Sequence, residues 1–177
     1  MKVSKTEIED CLIIEPIIHR DDRGFFFESF HVDRYKIEAR ISNNFVQDNH
    51  SSSFQGILRG LHFQTKKPQG KLVRCVSGSV YDVVVDIRPE SKFFKKWIGI
   101  ELSSKNARQL WIPPGLAHGF YVTSEKADVE YKCTEYYDPE TEQTLIWNDP
   151  DINIQWPSQQ PILSDKDKNG KRFIELF

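Results

Sequence analysis

The chain has 177 residues, with 24 Lys and Arg against 26 Asp and Glu, a formal charge of −2. That length suits one compact domain spanning residues 1–177, and so balanced a charge offers no basic field to nucleic acid. No apolar run approaches the ~18 residues of a membrane span, and the polar start has no signal-peptide core, so a soluble cytoplasmic protein without a membrane partner is expected.

Cys11, Cys75 and Cys133 are far apart and form no CxxC pair, which reads as small apolar filler and not as a disulfide or zinc framework. Twelve Phe, six Tyr and four Trp against a single Met favour pleated, half-buried surfaces over helices.

In chain order, residues 31–38 suit a short helix, and residues 47–53 (Gln-Asp-Asn-His-Ser-Ser-Ser) form the densest polar cluster. Residues 58–64 alternate as a strand, with His62 and Gln64 on the face of Leu58 and Gly60, opposite Arg59, Leu61 and Phe63. Residues 71–76 and 80–87 flank Ser77-Gly78-Ser79 and predict an antiparallel hairpin; Tyr81, Val83, Val85 and Ile87 share one face, Asp82, Val84 and Asp86 the other. Further short strands fit 97–102, 109–112, 119–122, 129–133 and 145–147, separated by turn signals such as Pro113-Pro114-Gly115. A second helix fits 165–176. Strands at this spacing predict an all-β sandwich or barrel.

Two histidines stand out, His62 on its strand and His118 at the start of another. Metal-holding β-barrels of this kind usually set two histidines one residue apart on a strand, but positions 60 and 64 are Gly and Gln. One nitrogen ligand falls short of the usual three protein ligands, so no metal site is expected.

Several segments together resemble the dTDP-4-dehydrorhamnose 3,5-epimerase family. They are Asp22-Arg23-Gly24-Phe25-Phe26-Phe27-Glu28, Gln47-Asp48-Asn49-His50-Ser51, and Gly56-Ile57-Leu58-Arg59-Gly60-Leu61-His62-Phe63-Gln64. Gln69-Gly70-Lys71-Leu72-Val73-Arg74, Pro113-Pro114-Gly115-Leu116-Ala117-His118-Gly119-Phe120 and Tyr131-Lys132-Cys133-Thr134-Glu135-Tyr136-Tyr137 continue the match. Trp147-Asn148-Asp149-Pro150 and Leu163-Ser164-Asp165-Lys166-Asp167 complete it in order. The chain departs from the family's usual Ser-Pro-Thr-Phe-Gly at residues 91–96 (Ser-Lys-Phe-Phe-Lys-Lys), and Leu116 replaces a common Phe. The resemblance implies a cupin jelly roll, or double-stranded β-helix, with a few short helices. It also implies cofactor-free inversion of C3 and C5 of a 4-keto-6-deoxy sugar carried on dTDP.

That reaction removes a proton next to a ketone, roughly a dozen pKa units less acidic than imidazolium, or about 16 kcal/mol uphill. A positioned base contributes ~10²–10⁴-fold, about 3–5 kcal/mol, so the enolate also needs a fixed positive or hydrogen-bonding group. The resemblance assigns His62 as base, Asp167 as its orienting partner, Lys71 to the C4 oxygen and Tyr131 as acid on the far face. For binding it implies Arg23 and Arg59 at the diphosphate, Gln47 and Asn49 at sugar or phosphate oxygens, and His118 in the sugar pocket. Phe26, Glu28 and Tyr137 would frame base and sugar. It further implies a homodimer with strand exchange, in which Phe26 and Glu28 serve the neighbour's site. The alternatives are epimerisation at C5 only and a non-enzymatic sugar- or nucleotide-binding cupin.

Overall fold

A computed structural model describes residues 1–177. In order the elements are β1 (Lys2–Lys5), β2 (Leu12–Glu15), β3 (His19–Asp21), β4 (Gly24–Phe26), α1 (Val32–Glu38), β5 (Gln47–Phe54) and β6 (Leu58–Gln64). Then follow β7 (Lys71–Ser77), β8 (Ser79–Asp86), β9 (Trp97–Ser103), β10 (Gln109–Ile112), β11 (Leu116–Val122), β12 (Lys126–Cys133) and β13 (Glu142–Thr144). Two single-turn helices, α2 (Asp165–Lys168) and α3 (Phe173–Leu176), end the chain. No helix is long and apolar enough to cross a membrane.

Two antiparallel sheets face each other, ordered β1-β2-β10-β7-β12-β5 and β13-β6-β11-β8-β9. From β5 to β8, and again from β10 to β13, each successive strand lies in the opposite sheet, the winding of a jelly roll. Between the sheets Val73, Cys75, Leu110, Ile112 and Val129 of one meet Val80, Val84, Leu102, Phe120 and Val122 of the other. The outer face of the five-stranded sheet (Leu58, Leu61, Val83, Val85) is covered by Leu145, Ile152, Trp156 and Phe173. On the six-stranded sheet, Ile14, Leu72 and Trp111 are covered by Tyr35 of α1 with Phe30 and Phe45. All three cysteines are free and buried, as filler should be.

The winding corrects the expected hairpin. β7 pairs with β10 and β12 while β8 pairs with β11 and β9, so the turn at Gly78 carries the chain across the sandwich and does not join paired neighbours. Gly78 has φ +72°, and a Cβ there would meet the Lys126 carbonyl oxygen at 2.0 Å, so only glycine fits the crossing. Turn chemistry reports a reversal of direction but not which sheet receives the next strand. The faces assigned along β8 do hold: Tyr81, Val83, Val85 and Ile87 face the outer layer, Val84 the interior.

Along β6 the expected alternation breaks. The register against β11 shifts between His118↔His62 and Phe120↔Arg59, so Leu58, Leu61 and Phe63 share the outer cluster. Arg59 therefore turns inward, where its Nε donates to Ser53 Oγ of the opposite sheet at 2.9 Å. A bulge residue resets the period of two, and Gly60 allows it: its φ is +125°, and a Cβ would lie 2.5 Å from Gly119 Cα.

Two further expectations shift. The strand at 145–147 reduces to a single bridge from Leu145 to Lys171, with the paired strand lying earlier, at β13. The helix at 165–176 is two turns separated by residues 169–172, because Lys171 makes that bridge in extended form.

Candidate active site

The inward faces near one end of the sandwich carry polar side chains. β7 contributes Lys71, one register step from Val73; β12 contributes Tyr131 and Cys133 opposite Asn49 and Gln47 of β5. From the other sheet, His62 of β6 faces His118 of β11 across the ladder. Both sheets are thus needed to assemble one site.

His62 Nε2 lies 2.6 Å from Asp167 Oδ1, joining residues 105 apart in sequence. His62 retains 26% side-chain exposure while Asp167 keeps 4%. Asp167 reads in the sequence as one charge of a solvated Asp-Lys-Asp-Lys run, yet α2 packs on β6 and turns it inward. Burial pushes its carboxyl up, but hydrogen bonds from His62, Ser164 and the Gly60 backbone outweigh this and hold it below the ordinary carboxylate value. The ring donates through Nε2, and Nδ1 makes no hydrogen bond within the chain, which leaves Nδ1 as the free ring nitrogen.

A second histidine–carboxylate pair lies deeper. His118 Nε2 is 3.0 Å from both oxygens of Asp82, with exposures of 5% and 0%. Apolar Val80, Val84, Leu116 and Phe120 flank the pair along their strands. Burial lowers the His118 pKa despite the attraction of Asp82. The His118 ring lies edge-on to that of Tyr131, centroids 6.3 Å apart. Lys71, 8% exposed, sets its Nζ 5.9 Å from the centre of the same phenol ring, with no hydrogen-bond or ion-pair partner in the chain. Burial lowers the Lys71 pKa, whereas it raises that of Tyr131 to about 12, so the phenol keeps its proton at neutral pH.

Toward the open side, Gln47 Oε1 accepts from the Tyr137 backbone N–H at 2.8 Å, and Gln47 Nε2 donates to Asn49 Oδ1 at 3.0 Å. Tyr137 O–H donates to Glu142 Oε2 at 2.8 Å, the oxygen that also holds the Lys166 ammonium. Glu142 stays below its ordinary pKa because Lys166 and Tyr137 outweigh its burial, with His62 adding an attractive field. Gln64 serves structure: its amide donates to Lys67 and Tyr136 carbonyls and accepts from the Asp138 N–H, pinning the loop before β13.

His62, Lys71, Tyr131, Asp167, Gln47, Asn49, Arg59, His118 and Tyr137 therefore gather in one region. Arg23, Phe26 and Glu28 do not join them within the chain. Arg23 and Phe26 lie on the β3–β4 hairpin, which pairs with no other strand, and Arg23 bonds only Asp21, at 2.6 Å. Phe26 is 71% exposed, and Glu28 pairs with Arg34 at 3.3 Å. The sequence reading missed Asp82, Glu142, Ser164 and Lys166. Only Ser164 carried a usable signal, as a Ser three residues before an Asp at a helix start. No group of three or more His, Cys, Asp or Glu is arranged to hold a metal ion.

A family model described as dTDP-4-dehydrorhamnose 3,5-epimerase matches residues 5–175. The curated enzyme of that name from Shigella flexneri is 53% identical over 176 residues, 99% of this chain and 97% of its own length. The crystal structure of dTDP-6-deoxy-D-glucose-3,5-epimerase from Legionella pneumophila, in complex with dTDP-4-keto-L-rhamnose, superposes with a TM-score of 0.97. It is 49% identical and covers 99% of this chain and 94% of that one. A 3'-monoepimerase from Streptomyces bikiniensis in complex with dTDP-quinovose has a TM-score of 0.89 at 31% identity, covering 96% and 86% of the two chains. A jelly roll wound through two sheets, a His62–Asp167 pair at its interior and similarity along nearly the whole length converge: this chain belongs to the dTDP-4-dehydrorhamnose 3,5-epimerase family.

Proposed function

We propose that this protein converts dTDP-4-dehydro-6-deoxy-D-glucose to dTDP-4-dehydro-L-rhamnose by inverting C3 and C5, acting through one catalytic domain of residues 1–177. The observation that carries the reading is a buried, unpartnered Lys71 beside Tyr131, within a site whose base, His62, is oriented by Asp167. An unpaired buried ammonium is costly, and a developing enolate oxygen supplies the charge it lacks.

In each half-reaction His62 Nδ1 takes the proton from a carbon next to the C4 ketone. The C–H electron pair forms the enolate double bond, and charge moves onto the C4 oxygen opposite Lys71. Asp167 stabilises the imidazolium through Nε2. Tyr131 then gives its O–H proton to the opposite face of the carbon, the charge returns to the ketone, and solvent restores both side chains. Arg59 supplies a guanidinium fork for the diphosphate, and Gln47 and Asn49 the neutral donors beside it. His118, locked to Asp82, lines the sugar side, and Tyr137 offers a ring face to the base. Nothing in these steps calls for a cofactor.

Arg23, Phe26 and Glu28 act on a neighbouring subunit in this reading. An isolated two-stranded hairpin bearing Phe25 and Phe26 at 60% and 71% exposure is the form of an arm that exchanges between protomers of a homodimer. The three buried free thiols suit the reducing cytoplasm.

Proton NMR in D₂O with the dTDP-4-keto-6-deoxyglucose substrate tests the function, with deuterium expected at both C3 and C5. Exchange at one carbon selects a monoepimerase, the competing reading raised by the likeness to a 3'-monoepimerase. Tight binding without exchange selects a binding module.

A further inference from the structure

Besides the Gly60 backbone N–H, two side chains hold the Asp167 carboxylate. Oδ1 meets His62 Nε2 at 2.6 Å, and Oδ2 accepts the Ser164 hydroxyl at 2.8 Å. Ser164 Oγ in turn accepts the Asp167 backbone N–H at 3.1 Å, so main chain and carboxylate of one residue are tied to the same oxygen. Ser164 is the N-cap of α2, with extended backbone at φ −67°, ψ 162°. A helix of four residues holds little by itself, so this double tie, with the Gly60 backbone N–H, fixes the direction of the Asp167 side chain.

We infer that Ser164 is a positioning residue for the His62 base: its hydroxyl occupies Oδ2 and sets the carboxylate plane so that Oδ1 meets the ring. With the hydroxyl gone, the carboxylate can rotate about its terminal bond, a broad and soft torsion. His62 then loses its fixed tautomer and direction. The effect on rate rests on the epimerase reading; the effect on Asp167 does not. Around Asp167, His62 faces it from β6; α2 itself carries the Asp165–Lys168 pair, and Lys166 is engaged with Glu142 of β13. All of these stay in place in the variants below.

Ser164→Gly removes the donor while keeping a tolerated N-cap residue, and Ser164→Thr keeps the hydroxyl. The Asp167 carboxyl is followed by ¹³C NMR titration, and kcat and KM are measured against pH. For Ser164→Gly, kcat is expected to fall about tenfold with KM little changed, the size of one lost hydrogen bond felt at the barrier. The carboxyl titration moves to higher pH, because the charged carboxylate has lost a donor. Ser164→Thr restores both. An unmoved titration in Ser164→Gly overturns the inference, as does an equal loss in Ser164→Thr, which would make the effect one of space. Wild-type protein without exchange activity would defeat the proposed function, while the carboxyl titration would still decide the role of Ser164.

Discussion

The chain contains two histidine–carboxylate pairs, and they are built in opposite ways. His118 and Asp82 lie on adjacent strands of one sheet, almost fully buried, with the ring nitrogen shared between both carboxylate oxygens. His62 and Asp167 are brought together from a strand and a distant single-turn helix through one oxygen each way, and the ring keeps access to the cavity. The first pair is held by sheet register and almost fully buried. The second depends on tertiary closure and leaves one nitrogen free. Identical residue types thus form a fixed wall in one place and the proposed proton acceptor in the other.

His62→Ala should break the contrast most sharply. Deuterium incorporation by NMR is expected to fall about 10³-fold or more, with the fold retained and a smaller loss of stability than at the fully buried pair, since Asp167 keeps its Ser164 donor. Lys71→Met should lower kcat about 10²–10³-fold, as loss of an oxyanion group does, yet raise the melting temperature, because an unpartnered buried ammonium gives way to an apolar chain. A fall in thermal stability would show that Lys71 has a partner in the folded protein. Asp82→Ala should act chiefly on stability: about 2–3 kcal/mol lost in urea unfolding, from leaving the buried His118 nitrogen unsatisfied.

Much of the pattern behind these predictions is legible in the sequence. Alternation marks β7 through β12, and the apolar faces of β8 follow directly from the period of two. The strand β5 was not legible as a strand. Its Gln-Asp-Asn-His-Ser-Ser-Ser run is polar on both faces, because one lines the site and the other is outward, so alternation of hydrophobicity vanishes. The bulge at Gly60 was also hidden, since periodicity has no means of announcing an extra residue; as a result Arg59, still exposed, faces Ser53 of the opposite sheet. Asp167 became a site residue only through resemblance, because local composition describes a solvated tail and burial comes from α2 packing on β6. Glu142 and Lys166 carried no local signal at all, being functional in appearance only through each other.

The gentlest test concerns pH. The Asp167 carboxyl is held below its ordinary value of 3.8, so its contribution to stability is fully present above that value and is lost as pH falls through the lower folded-state value. The melting-temperature gap between wild type and Asp167→Asn should therefore be widest near neutrality and close on acidification below about pH 4. A gap that widened in acid would reverse the sign of the interaction.

The alternation of successive strands between the two sheets has a kinetic consequence. Apart from β1–β2, β3–β4 and β8–β9, the strand pairings link segments that are not consecutive along the chain, a high-contact-order topology that folds in about milliseconds to seconds, not microseconds. Neither sheet alone holds the full set of proposed reacting groups, and Asp167 joins from the far end of the polypeptide. Regain of turnover during refolding should accordingly lag every spectroscopic sign of collapse, making catalysis itself the last reporter that the sandwich has shut.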